Sequence, residues 1–210
     1  MEYCELRTIL SVDRLYEFYS DGDGGSFDVG SVVSIFLEDM LIAKVNTAGI
    51  NDGFLALDNS DIVAIRFGTE YLAGKEGAQM RTDLIEEIKT FIEASEDEEE
   101  DDDFDENDQD DIDDEDDLDD DEDEDEDDDD VDLNDFGDES AKEILIRYAL
   151  TKGFNVVITF WPEFSERVYG KVISLDDGVV LIEEIDTKGK ADGVCCTTLD
   201  NILAVSCEWE

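Results

Sequence analysis

The sequence predicts a mainly β protein of the α+β class, in which two small five-stranded barrels of one design, each opened by a helix, are joined by an acidic linker. Three observations predict it. The acidic residues are segregated, the two flanks of the acidic run align with each other at one fixed spacing, and each flank alternates β-branched and aromatic runs with turn residues.

Residues 96–139 hold 34 of the 64 acidic side chains and no Lys or Arg. Residues 1–95 carry 18 acids against 7 bases and residues 140–210 carry 12 against 7, so the three parts contribute −11, −34 and −5 to the net charge of −50. A run this charged buries too little apolar surface to offset the entropy of ordering its backbone, and 96–139 is expected to be a disordered low-complexity linker. The folded parts are then 1–95 and 140–210. At these sizes one hydrophobic core is marginal, and association between the two halves would help.

The flanks align at an offset of 140 residues. Between Gly30–Phe67 and Gly170–Cys207 the alignment needs no gap, and 11 positions are identical, among them Gly30/Gly170, Ser34/Ser174, Gly49/Gly189 and Gly53/Gly193. Each copy is expected to begin with a helix. In the second, Ser140 and Glu143 form a capping box followed by Ala141, Ile144, Leu145 and Tyr148 at helical spacing; in the first, Tyr3, Leu6, Ile9 and Leu10 share a face. Strands are expected at Asn155–Phe160, Val168–Leu175, Val179–Asp186, Val194–Thr198 and Ile202–Cys207, with a hairpin turn over Thr187–Gly193. Turn residues at Asp177-Gly178, Lys188-Gly189 and Asp192-Gly193 punctuate them, echoed in the first copy at Asp21–Gly25, Gly49 and Asp52-Gly53.

Gly170-Lys171-Val172-Ile173-Ser174-Leu175-Asp176 resembles the G-x-[IV]-x-S-x-D second strand of the Sm/LSm small barrels, of which bacterial Hfq is the nearest comparison. The apolar runs Val179–Ile182 and Ile202–Val205 match the third and fifth strands of that family. The resemblance implies a tandem of Sm-like (SH3-like) barrels and, for the family at large, RNA binding. The family's RNA site is not matched. Its stacking aromatic falls on Gly178 and Glu38, its basic positions on Leu199-Asp200 and Asn59-Ser60, and the motif aspartate, Asp176, becomes Phe36 in the first copy.

Arg81–Ser95 carries Leu84, Ile85, Ile88, Phe91 and Ile92 as one apolar stripe and is expected to be a helix that packs on the first copy or between the two, or that binds a partner. Catalysis has little to stand on. With no histidine the usual general base is missing, and neither a phosphate-binding glycine loop nor a zinc-hydrolase motif occurs, so no catalytic residue, cofactor or metal ligand is assigned. Asp21–Gly25 and Asp103–Asp114 both fail the calcium-loop pattern, the first at position 5 and the second where Asp108 takes the required glycine. Vicinal Cys195-Cys196 in a strand would face opposite sides, without a basic neighbour to activate either thiol.

Phe104, Ile112, Leu118, Val131, Leu133 and Phe136 interrupt the acidic run. Two readings of it stand: a self-repelling spacer, or an arm that docks on a basic protein bearing an apolar groove. The second gives the expected function, a cytoplasmic, non-enzymatic interaction or regulatory protein whose acidic arm engages a basic partner, in the manner of nucleic-acid mimicry. An Sm-like RNA-associated protein is the alternative. No membrane partner is expected from a chain of this charge, and pairing of the barrels within the chain or into a homo-oligomer is the remaining structural expectation.

Overall fold

The computed structural model describes Leu6, Thr8 and residues 10–11, 14–20, 27–75, 80–96, 140–160 and 167–208, excepting the side chains of Glu96 and Glu208. Ten strands form: β1 (Leu15–Ser20), β2 (Asp28–Ile35), β3 (Asp39–Val45), β4 (Asn51–Asp58) and β5 (Ile62–Arg66), then β6 (Asn155–Phe160), β7 (Arg167–Asp176), β8 (Val179–Ile185), β9 (Ala191–Thr198) and β10 (Ile202–Glu208). Among the described residues three complete helices accompany them, α1 (Glu70–Ala73), α2 (Thr82–Glu96) and α3 (Ala141–Lys152).

The two halves use the same hydrogen-bonding register at positions 140 residues apart. Pairing of β2 with β3 matches Val32 to Ile42 and then, across a bulge, Ser34 to Leu41; pairing of β7 with β8 matches Val172 to Ile182 and Ser174 to Leu181 across the same bulge. The bulge doubles one residue and bends the strand, which is what the serine of each motif marks. Gly30 and Gly170 are needed for close approach rather than for φ. A Cβ at Gly30 would sit 2.4 Å from the Ala43 carbonyl oxygen, and one at Gly170 would sit 2.1 Å from that of Glu183. Both β3–β4 and β8–β9 hairpins turn on a side-chain oxygen, Asn46 Oδ1 accepting from the amides of Ala48 and Ile50 and Asp186 Oδ1 from those of Lys188 and Lys190. Gly49 and Gly189 follow in the left-handed region. The second hairpin turn is therefore earlier than Thr187–Gly193, and β9 already starts at Ala191. Gly53 has φ 123°, whereas Gly193 has open space around it.

Two separate barrels are not what forms. The strands make one open, ten-stranded antiparallel sheet in the order β5-β1-β2-β3-β4-β10-β6-β7-β8-β9. The join is β4 with β10, where Ala204, Val205, Ser206 and Cys207 face Leu57, Ala56, Leu55 and Phe54. A separate barrel would leave the backbone groups along β4 unpaired and Phe54 and Ala56 open to water; joining the halves removes both costs. Within the first half β1 to β5 still curl about a common core of Tyr16, Phe18, Val32, Met40, Ile42 and Leu55.

A second core lies across the join. Val33, Leu41, Phe54 and Ala56 from the first half meet Val156, Ile182 and Val205 from the second beneath α3. Because α3 touches both halves it is buried nearly all round, at Ala141, Ile144, Leu145, Ile146, Tyr148 and Ala149. Ser140 caps it as the sequence suggests, accepting from the Glu143 amide at 3.2 Å, and Gly153 ends it in the left-handed conformation. On top of α3 lies α2, with Ile88 and Ile92 buried, Phe91 edge-on to Tyr148 at 5.5 Å between ring centroids, and Glu87 paired with Lys152. The opening helix is described over its whole length in the second half, and in the first half its described residues Leu6 and Thr8 are helical. Of the first half's counterpart only Leu6, Thr8 and Leu10 are described; the Leu10 amide donates to the Leu6 carbonyl, and Leu6 is buried against the first core.

Candidate interaction surfaces

The join is held by one charged cluster as well as by apolar burial. Asp39 opens β3 and is fully buried, and its two carboxylate oxygens accept from the amides of Ala141 at 2.7 Å and Lys142 at 3.2 Å. A carboxylate of the first half therefore caps the helix of the second, where two otherwise orphaned amides and the positive end of the helix dipole meet it. Lys142 completes the clamp, its Nζ lying 3.7 Å from Asp58 Oδ2 and donating to the Ile202 carbonyl at 3.3 Å. Burial pushes the Asp39 carboxyl up to about 6, against the pull of the two amides and of Lys142. Nothing in the repeat pattern announced this residue. Its counterpart at the 140 offset is Val179, and that difference between the copies was the available signal.

Of the positions matching the RNA site of Sm-like modules, Glu38 lies in the turn before β3 and Asn59 is structural, its Nδ2 donating to the carbonyls of Phe36 at 3.1 Å and Asp39 at 3.3 Å. Phe36 is buried in the core. In the second half Asp176 ends β7 before a tight turn through Asp177 (φ 48°) and Gly178 (φ 72°), and Leu199-Asp200 fall in a 3-10 turn. No Lys or Arg occupies any of these positions.

The halves differ sharply in exposure. Strands β2 to β4 are almost wholly buried, but Tyr169, Ile173, Val179 and Val194 on β7 to β9 are open to solvent. The two ends of the sheet, β5 and β9, have no strand beyond them among the described residues. Near the β5 end, Glu17 is buried, accepting from the hydroxyls of Tyr19 at 2.9 Å and of Thr69, while the Arg66 guanidinium lies 4.7 Å from the centre of the Tyr19 ring.

Cys195, Cys196 and Cys207 are free thiols. Burial, with the Glu184 carboxylate nearby, pushes Cys195 up, opposite to the shift a reactive thiolate needs. Among the described residues there is no group of three or more His, Cys, Asp or Glu placed to hold a metal ion, and no helix long and apolar enough to cross a membrane. The sequence-derived partner-binding residues Phe104, Ile112, Leu118, Val131, Leu133 and Phe136, and both failed calcium-loop segments, lie outside the described residues. No protein-family model, curated protein or solved structure matches the chain.

Proposed function

We propose that this chain is a non-catalytic interaction protein that presents its acidic segment, residues 96–139, to a basic protein surface and competes there with nucleic acid. The observation that supports it is the segregation of charge, 34 acids and no base in that segment against 30 acids and 14 bases in the rest. A polyanion of this density binds a nucleic-acid-binding surface as DNA or RNA does, by displacing condensed or bound counterions, so its affinity falls steeply with salt. Phe104, Ile112, Leu118, Val131, Leu133 and Phe136 supply apolar anchors that a plain spacer does not need. The free thiols suit a reducing compartment, and the cytoplasm goes with this reading.

The test is affinity capture from nuclease-treated and untreated lysate at low and moderate salt. The intact chain is compared with a variant of equal length in which the Asp and Glu of 96–139 become Asn and Gln. A basic protein held by the intact chain, lost by the neutral variant and released by salt is the expected result. RNA held equally by both, and removed by nuclease, would replace this reading with an RNA-binding one; no protein held by the intact chain at low salt would end it.

A further inference from the structure

We infer that the free edge β9 pairs with the free edge β5 of a second copy of this chain, in the register already used inside the molecule between β4 and β10. The 140-residue offset makes β9 the counterpart of β4 and β5 the counterpart of β10. The molecule therefore contains one example of the joint and both halves of another, at opposite ends of the sheet with no strand beyond them among the described residues.

Shifting the internal register by 140 gives the pairs of the new joint: Ala64 opposite Thr197, Ile65 opposite Cys196, Arg66 opposite Cys195 and, one residue past the end of β5, Phe67 opposite Val194. The last pair carries the argument. At the internal joint the matching residues, Cys207 and Phe54, are both 0% exposed, whereas Phe67 is 50% and Val194 61% exposed. Directly opposite residues on neighbouring strands share a face, so each covers the other.

The same row of the sheet extends one strand further. Phe54 pairs with Ala43 on β3, and Val194 pairs with Glu183 on β8. The internal row Cys207–Phe54–Ala43 becomes Phe67–Val194–Glu183 between chains, with a charge at its end. The incoming copy brings a cation to the same region, the exposed Arg14 guanidinium standing 5.2 Å from the centre of the Phe67 ring. Val179 in place of Asp39 removes the helix cap, so the joint between chains is weaker than the internal one and reversible.

The joint is head-to-tail, and repetition of it gives a ring or an open chain of copies. A net charge of −50 on each copy opposes it. Assembly is therefore expected to strengthen with added salt, the opposite of the response expected for the acidic segment with a basic partner, and the two proposals fail separately.

The experiment is sedimentation velocity on the full chain over a range of concentrations at low and high salt, with Phe67→Lys, Val194→Glu and the double variant. All sites changed are exposed, and unchanged circular dichroism confirms the fold. The intact chain is expected to associate with concentration, more at high salt. Each single variant should weaken association by about tenfold or more, equivalent to one strong contact, and the double variant, which sets Lys against Glu across the joint, should recover part of the loss. A chain that stays monomeric at every concentration and salt overturns the proposal, as does association that neither single variant weakens.

Discussion

Replacing Asp39 by Asn should shift stability by an amount that depends on pH, larger at pH 8 than at pH 5. Asp39 is fully buried and its carboxyl is raised from 3.8 to about 6. A raised carboxyl favours the folded state fully below the unfolded value near 3.8, and the benefit is lost as pH climbs through 6. Two units correspond to roughly 3 kcal/mol at neutral pH and above, and roughly half of that is recovered by pH 5. Asparagine keeps one acceptor oxygen for the amides of Ala141 and Lys142 but does not ionise. Urea unfolding of both proteins between pH 5 and 8, followed by circular dichroism, gives the difference in stability at each pH. The native chain should gain on Asp39→Asn by about 1 to 2 kcal/mol as pH falls across that range. Taking the difference cancels the self-repulsion of the acidic segment, which both proteins share. A flat difference, or a native chain that gains as pH rises, would refute the assignment of burial as the dominant influence and would make the helix dipole and Lys142 the stronger partners.

Gly170→Ala should cost about 1 to 3 kcal/mol, because the new Cβ meets the Glu183 carbonyl at 2.1 Å, whereas Gly193→Ala, with nothing within 4 Å, should leave the melting temperature nearly unchanged; thermal unfolding compares them. Lys142→Met keeps the stem but strands Asp39 and Asp58 without their cation, and a loss of about 1 to 3 kcal/mol in urea unfolding is expected, larger at pH 8 than at pH 5. Phe91→Ala removes the edge-on contact that seats α2 on Tyr148, and should cost about 1 to 3 kcal/mol with faster amide exchange in α2 before the sheet is affected.

The strands and the helices α2 and α3 were legible because each rests on local chemistry, β-branched runs and a serine cap; of the turns, those at Gly49, Asp177-Gly178 and Lys188-Gly189 form, whereas Asp52-Gly53 and Asp192-Gly193 fall inside β4 and β9, and Asp21–Gly25 lies outside the described residues. The 140-residue spacing of the two halves was legible too, but the bulge before Ser34 and Ser174 was not. How the copies combine was not. Pairing of the halves within the chain was one expectation, but periodicity carries no information about which edge meets which, and a single continuous sheet was not legible in it. The information lay in the differences between copies. At Ala43 against Glu183, Phe54 against Val194 and Asp39 against Val179, the half that receives β10 and α3 has a small apolar, a large buried aromatic and a helix-capping residue, where the other half has a charge, a smaller exposed side chain and no cap. The acidic segment shows the converse: its composition is plain, and its partner is written nowhere in it.

The way α2 and α3 lie together sets the two ends of the acidic segment in opposite electrostatic surroundings. The chain leaves α2 after Glu96 and returns at Ser140 to a helix packed against the first, with 43 residues between. Negative charge suits the amino end of α3, already capped by Asp39, and offends the carboxyl end of α2. The last turn of α2 is therefore the weaker of the two ends, and its amides should exchange before those that open α3.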